Sequence, residues 1–147
     1  MIRRALLAWV LLTACEPSKT TAPAEPRSSL RVPVPDGWKA TSRAGDLQVG
    51  PQGRVVLLLE NTARPFPEAA AFVAAVEAEG VEILQKESVD TFIGVRYSFS
   101  ADGNQRDGFL GVRQTGPRTI WCSTSGSAKN EEVEAAMTVC RSLSWEG

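Results

Sequence analysis

Histidine is absent from the 147 residues, which excludes Ser-His-Asp and Cys-His nucleophile systems and any zinc site built on imidazole. Cysteine is scarce. The three present, Cys15, Cys122 and Cys140, include no Cys-x-x-Cys pair and no neighbouring base that would activate a thiol. No phosphate-cradling glycine loop is present either, so the chain carries no motif for a catalytic residue, a metal or a cofactor, and it reads as a protein that is not an enzyme. Charge of one sign is lacking too: 16 Lys plus Arg stand against 17 Asp plus Glu, a net of −1. That balance gives no reason to expect nucleic acid as a partner, and no basic cluster is available to hold anionic lipid headgroups. Finally, no run approaches the 18 or so apolar residues of a membrane-spanning helix.

What is present begins at the N-terminus. Met1, Ile2, Arg3 and Arg4 form a basic start, residues 5–12 (ALLAWVLL) an apolar core, and Thr13 and Ala14 lead to Cys15. This is the layout of a secretory signal peptide. Eight apolar residues reach about 12 Å at 1.5 Å each, far short of a ~30 Å hydrocarbon layer, so the segment is no anchor in itself. Its last four residues, Leu12-Thr13-Ala14-Cys15, resemble the lipobox of bacterial lipoproteins. The resemblance implies that residues 1–14 are removed, that Cys15 becomes the acylated first residue through a diacylglyceryl thioether, and that the protein is held to a membrane of the cell envelope by its lipid. Acyl chains contribute about 0.8 kcal/mol per buried methylene, and two or more chains make the attachment stable. Glu16 follows where lipoproteins of the enteric type carry Asp for inner-membrane retention, which favours the outer membrane.

Cleavage would leave 133 of the 147 residues and take away Arg3 and Arg4, so 14 basic side chains would face 17 acidic ones, a net of −3. Residues 15–29 comprise the lipidated cysteine and a tether (EPSKTTAPAEPRSS) with three prolines, five Ser or Thr and no bulky apolar side chain. Residues 30–147 are long enough for a single domain with its own core.

Within that domain, strands are expected over 30–34 and 46–49. The continuous apolar run 54–60 (RVVLLLE) reads as a central strand covered on both faces, which argues for helices on either side of the sheet. Pro67 and Glu68 open a helix running to about Glu79, with Phe72 and Val76 on one face and Gly80 as its stop. A weak strand over 81–86 precedes residues 93–100, where Ile93, Val95, Tyr97 and Phe99 alternate with Gly94, Arg96, Ser98 and Ser100. Strands over 108–114 and 118–124 follow, and a last helix runs from an N-cap at Asn130 to about Ser142, with Val133, Ala136, Met137 and Cys140 on one face. The fold class is therefore α+β, an antiparallel sheet with two main helices packed against it. The turn Val34-Pro35-Asp36-Gly37-Trp38, the mid-chain amphipathic helix and the closing helix ending in Arg141-Ser142-Leu143 resemble the PsbP-like fold of photosystem II extrinsic subunits and DcrB-like lipoproteins. That resemblance implies a binding or assembly module and no chemistry.

With Cys15 assigned to lipid, Cys122 and Cys140 form an even pair in an oxidising compartment. A disulfide between them would staple the last helix to the sheet, worth about 3 kcal/mol in the chain-entropy picture. The loop from Asp102 to Gly108 does not make a calcium site: Arg106 and Arg113 stand where the fifth and twelfth ligands belong. The acidic residues Glu131, Glu132 and Glu134 suit a helix N-terminus. The polar face of the late strands carries Arg96, Arg113 and Trp121, a composition suited to recognition. Two readings of that face stand open: a surface for an envelope protein partner, or a face covered by a helix with its arginines reaching to solvent. The whole reads as a lipid-anchored envelope module that binds rather than catalyses, with a small-ligand pocket between helix and sheet as the alternative.

The lipid assignment is tested directly. Intact-mass measurement of the mature protein should show an acylated Cys15 at its N-terminus, and Cys15→Ala should abolish acylation and release the protein from membranes. An unmodified Cys15 with cleavage elsewhere refutes it.

Overall fold

The computed structural model describes residues 29–146; the signal peptide, Cys15 and the tether up to residue 28 lie outside the described residues. Nine strands and two helices follow in the order β1 (Ser29–Arg31), β2 (Trp38–Arg43), β3 (Asp46–Pro51), β4 (Leu57–Thr62), α1 (Ala69–Glu77), β5 (Glu82–Val89), β6 (Phe92–Ala101), β7 (Asn104–Thr115), β8 (Arg118–Thr124), α2 (Asn130–Arg141) and β9 (Ser144–Glu146). Seven strands form one sheet in the order β2-β3-β4-β8-β7-β6-β5, antiparallel throughout. β1 and β9 pair separately, Leu30 opposite Trp145. The class is α+β, and the sheet is larger than the sequence reading allowed.

Short hairpins explain why neighbouring strands are antiparallel. Ala44 and Gly45 between β2 and β3 have φ of 51° and 90°, and Asp102 and Gly103 between β6 and β7 have 53° and 77°. Positive φ at both central residues is what a two-residue type I′ turn needs to match strand twist. The first of these turns makes β2 a strand although five of its six residues are exposed.

The helices lie on opposite faces. On one, α2 buries Val133, Ala136, Met137 and Cys140 against Leu57, Leu59, Phe92, Phe109, Ile120 and Cys122. On the other, α1 buries only Phe72 and Val76, against Ile93, Val95 and Val112. The run 54–60 departs from expectation. Arg54, Val55 and Val56 precede the strand, and the carbonyl of Val55 accepts hydrogen bonds from the hydroxyls of Ser125 and Ser127. Leu58 is exposed because α1 sits over β5 and β6 and does not reach β4. The centre of the sheet is β8, not β4.

On the α2 face, Gly94 of β6 pairs with Gly111 of β7. A Cβ at Gly94 would meet Phe92 Cζ at 2.7 Å and Phe109 Cε2 at 3.0 Å, and one at Gly111 would meet Phe109 Cζ at 2.4 Å. The two phenyl rings therefore lie flat across the glycine pair, their centroids 6.5 Å apart, the aromatic cover that glycines in a sheet call for. Cys122 of β8 and Cys140 of α2 are joined by a disulfide with both residues fully buried.

Asn130, expected as the N-cap of α2, is instead its first helical residue, and Lys129 is the N-cap. Its N–H donates to Glu132 Oε1 at 2.8 Å, while Asn130 Oδ1 accepts the N–H of Asp107 at 2.9 Å. The expected cap residue thus ties the helix to β7 instead.

Gly111→Ala should lower stability by about 1–3 kcal/mol, the usual cost of overpacking, because the methyl displaces the Phe109 ring. Gly126→Ala, with nothing within 4 Å of its Cβ, should stay within about 0.5 kcal/mol of the parent. Urea denaturation of both variants checks this; equal effects would contradict the role given to the ring.

Candidate functional site

Cross-strand partners in an antiparallel pair share a face, so register decides where Arg96, Arg113 and Trp121 point. Arg96 pairs with Phe109, Arg113 with Ile120, and Trp121 with Val112. Arg96 and Arg113 consequently lie on the α2 face and Trp121 on the α1 face, and the three do not form one surface. Each strand's alternation is visible in the sequence, but which face of one strand continues onto the next is set by pairing alone.

The arginines on the α2 face dock the helix. Arg96 donates to Asp107 Oδ2 at 2.7 Å and to Glu134 Oε2 at 3.5 Å. Arg113 donates from Nε to the Leu143 carbonyl at 3.3 Å and from Nη1 to Thr91 Oγ1 at 2.9 Å. Arg141 makes a two-point contact with Glu87 at 2.9 and 2.6 Å and lies 5.6 Å from the Phe92 ring centre. Arg54 holds Glu132 through two bonds of 2.6 Å each and also donates to the Ser127 carbonyl. The hydrogen bonds from Arg54 keep the Glu132 carboxyl below its ordinary pKa, against the opposing effect of its burial.

The α1 face is different. Between α1 and strands β6, β7 and β8 runs a groove of about 540 Å³ lined by Pro67, Ala71, Phe72, Ala75, Val76, Glu79, Val81, Tyr97, Leu110 and Trp121. Glu79 is its one charged residue. Size and lining match those of small-molecule sites, which are mostly apolar with a few placed polar groups. Phe72 packs against Trp121 with ring centres 5.7 Å apart. Tyr97 lies flat over Gly108, where a Cβ would meet the ring at 2.5 Å. Burial pushes the Tyr97 phenol above its ordinary pKa, with the Thr124 hydroxyl acting the other way, so the ring stands as a neutral wall. Trp121 Nε1 is buried without a hydrogen-bond partner, and Arg64 lies over the indole at 4.5 Å from its centre.

Sequence reasoning singled out Trp121 but missed Tyr97, Leu110 and the helix flank as its companions. A signal was available in Ala71 and Ala75, which stand four apart and so share one side of a helix. Among the described residues no group of three or more His, Cys, Asp or Glu is placed to hold a metal ion, and no helix is long and apolar enough to cross a membrane.

No protein-family model matches this chain, and no curated protein matches it. Among solved structures it is similar to the crystal structure of LpqN, described as involved in cell envelope biogenesis of Mycobacterium tuberculosis, at 15% identity and a TM-score of 0.49, over 82% of this chain and 84% of that one. A likeness of that degree carries neither fold nor function across.

The Arg54–Glu132 clamp has a pH signature. A carboxyl held below its unfolded-state pKa stabilises the fold fully above that unfolded value, and the contribution is lost as pH falls through the folded one. The stability gap between the parent and Glu132→Gln should therefore be constant from pH 7 to about 5 and shrink below the ordinary carboxylate range near 4.3. Urea midpoints at stepped pH measure it; a gap that widens in acid would contradict the assignment.

Proposed function

We propose that this protein is a non-enzymatic binding module, anchored by lipid at Cys15 in the bacterial cell envelope with its domain outside the cytoplasm, and that it binds a small apolar ligand in the groove between α1 and the sheet. The observation that supports this reading is the groove itself: an apolar trough walled by Phe72, Tyr97, Leu110 and Trp121 that the fold leaves unfilled. The lipobox-like Leu12 to Cys15 supports the anchoring. Placement in the outer membrane, on Glu16, and kinship with PsbP-like domains belong to the same proposal. The Arg96, Arg113 and Trp121 surface does not enter it, since register divides those residues between two faces.

Filling the groove tests the reading. Ala71 and Ala75 are exposed on the helix flank yet line the groove, so Ala71→Trp with Ala75→Trp should occupy it at little cost to the core. An environment-sensitive apolar dye should bind the parent with saturation at one site and bind the filled variant at least tenfold more weakly, with melting temperatures within a few degrees of each other. Absent or undiminished dye binding would overturn the groove as the site.

A further inference from the structure

Separately from that groove, we propose that the open edge of β5 takes up a strand from another protein, an extended basic segment lying along Gln85–Val89 with every second side chain under α1. β5 closes one end of the seven-stranded sheet. Among the described residues no strand lies beyond it, so the outward N–H and C=O groups of its backbone are open to a further strand. Its register with β6 shifts between Ile83 and Gln85 and runs regularly from Gln85 to Val89. A bulge turns an edge away from pairing, which leaves the stretch after it, about a strand's usual length, as the part that can pair. Leu84 and Val89 bracket that stretch and are 48% and 53% exposed.

The flank of α1 beside this edge is built to cover a strand. α1 turns Phe72 and Val76 into the core and Ala71 and Ala75 to the first groove. Its opposite flank, with Ala70, Val73 and Ala74, forms a second trough of about 430 Å³ together with Lys86, Glu87 and Ser88 of β5. Residues 70, 73, 74 and 77 stand at spacings of three and four and so share one side of the helix. In a strand added to β5, alternate side chains point toward the α1 side of the sheet. The two alanines leave room for them, and Val73 offers an apolar contact.

Charge selects the partner. From Pro67 to Asp90 the chain carries Glu68, Glu77, Glu79, Glu82, Glu87 and Asp90 against Lys86 alone. Arg141 of α2 holds Glu87, while Glu77, Glu79, Glu82 and Asp90 are exposed. The negative potential along this edge steers a cationic segment to it. It also opposes a second copy in the same place, since two β5 edges would bring the same carboxylates together. The edge at β2 is no counterpart either, because Arg43 already stands opposite Asp46.

The probe is a capped nine-residue peptide in which valine alternates with lysine, titrated by fluorescence anisotropy into the full chain in nonionic detergent. Two controls accompany it: the glutamate counterpart, and a peptide of the same composition with its lysines and valines in separate blocks. The alternating lysine peptide should bind about tenfold or more tightly than either control, and hydrogen exchange should slow at amides within residues 85–89. Ala70→Trp with Ala74→Trp, both at exposed positions, should weaken it about tenfold, and Glu77→Lys with Glu82→Lys several-fold. Melting temperatures of both variants should stay within a few degrees of the parent. Absence of binding by the alternating lysine peptide would overturn the proposal. Equal binding of the glutamate peptide would overturn the basic partner. Equal binding of the block peptide, or unchanged exchange in β5, would overturn strand addition. A chain that self-associates and protects its β5 amides before any peptide is added would make a second copy the occupant and overturn the foreign strand.

Discussion

The attachment of α2 to the middle of the sheet governs how the rest of the molecule is arranged. Cys122 stands on the central strand and Cys140 near the end of the helix, and their bond lies within the buried core between them. Around it, Phe92 and Phe109 lie flat on the Gly94–Gly111 pair so that α2 meets a surface of rings instead of a row of side chains. Arg54 and Arg96 reach Glu132 and Glu134 of the helix, Arg141 of the helix reaches Glu87 on β5, and Arg113 holds the Leu143 carbonyl just beyond the helix. A covalent bond, close packing and charge-assisted hydrogen bonds together hold the helix on that face of the sheet.

The other face carries the opposite character. α1 is nine residues long and buries two side chains, and it has neither a disulfide nor a side-chain cap. Helices of that length draw their stability from packing rather than from propensity, and elements with few buried contacts are the ones that open at low free-energy cost. Since α1 covers β5 and β6 but stops short of β4, its flank and the floor of β7 and β8 enclose a space that nothing in the fold fills. The contrast between a locked face and a lightly held one is what makes a groove on the α1 side consistent with a stable domain.

Much of this was legible in the chain. Helix faces at spacings of three and four identified Phe72 with Val76, and Val133 with Ala136, Met137 and Cys140, as buried. The parity of the late strands was also readable, as was the pairing of the two remaining cysteines. The seventh strand was not: Trp38–Arg43 is polar and exposed, and it is a strand because a two-residue turn folds it onto β3. Gly94 and Arg96 disguised a buried face as a solvated one, because a glycine beneath a ring contributes to a core without being apolar in the sequence. The site suffered most from register. Arg113 and Trp121 sit on adjacent strands, and a shift of one residue would have placed them together. Tyr97 and Leu110 joined Trp121 only through long-range pairing, which no local pattern encodes.

The proposed anchor and the proposed ligand also bear on one another. The domain starts at β1, which pairs with β9 at the other end of the chain, so the tether leaves from a fixed point on the body. Residues 16–28 can span at most about 45 Å when fully extended, against a radius of gyration near 14 Å for a domain of this size. With the lipid proposed at Cys15, a tether of that length lets any face of the domain come to the membrane surface. Apolar small molecules partition into that same surface, and tethering raises the groove's effective concentration toward them without a new contact. Removal of residues 1–14, as proposed, leaves a net charge of −3, which opposes lasting adhesion to anionic headgroups. A groove held within tether reach of the bilayer, on a body not itself drawn onto it, can load there and still stay open to solvent.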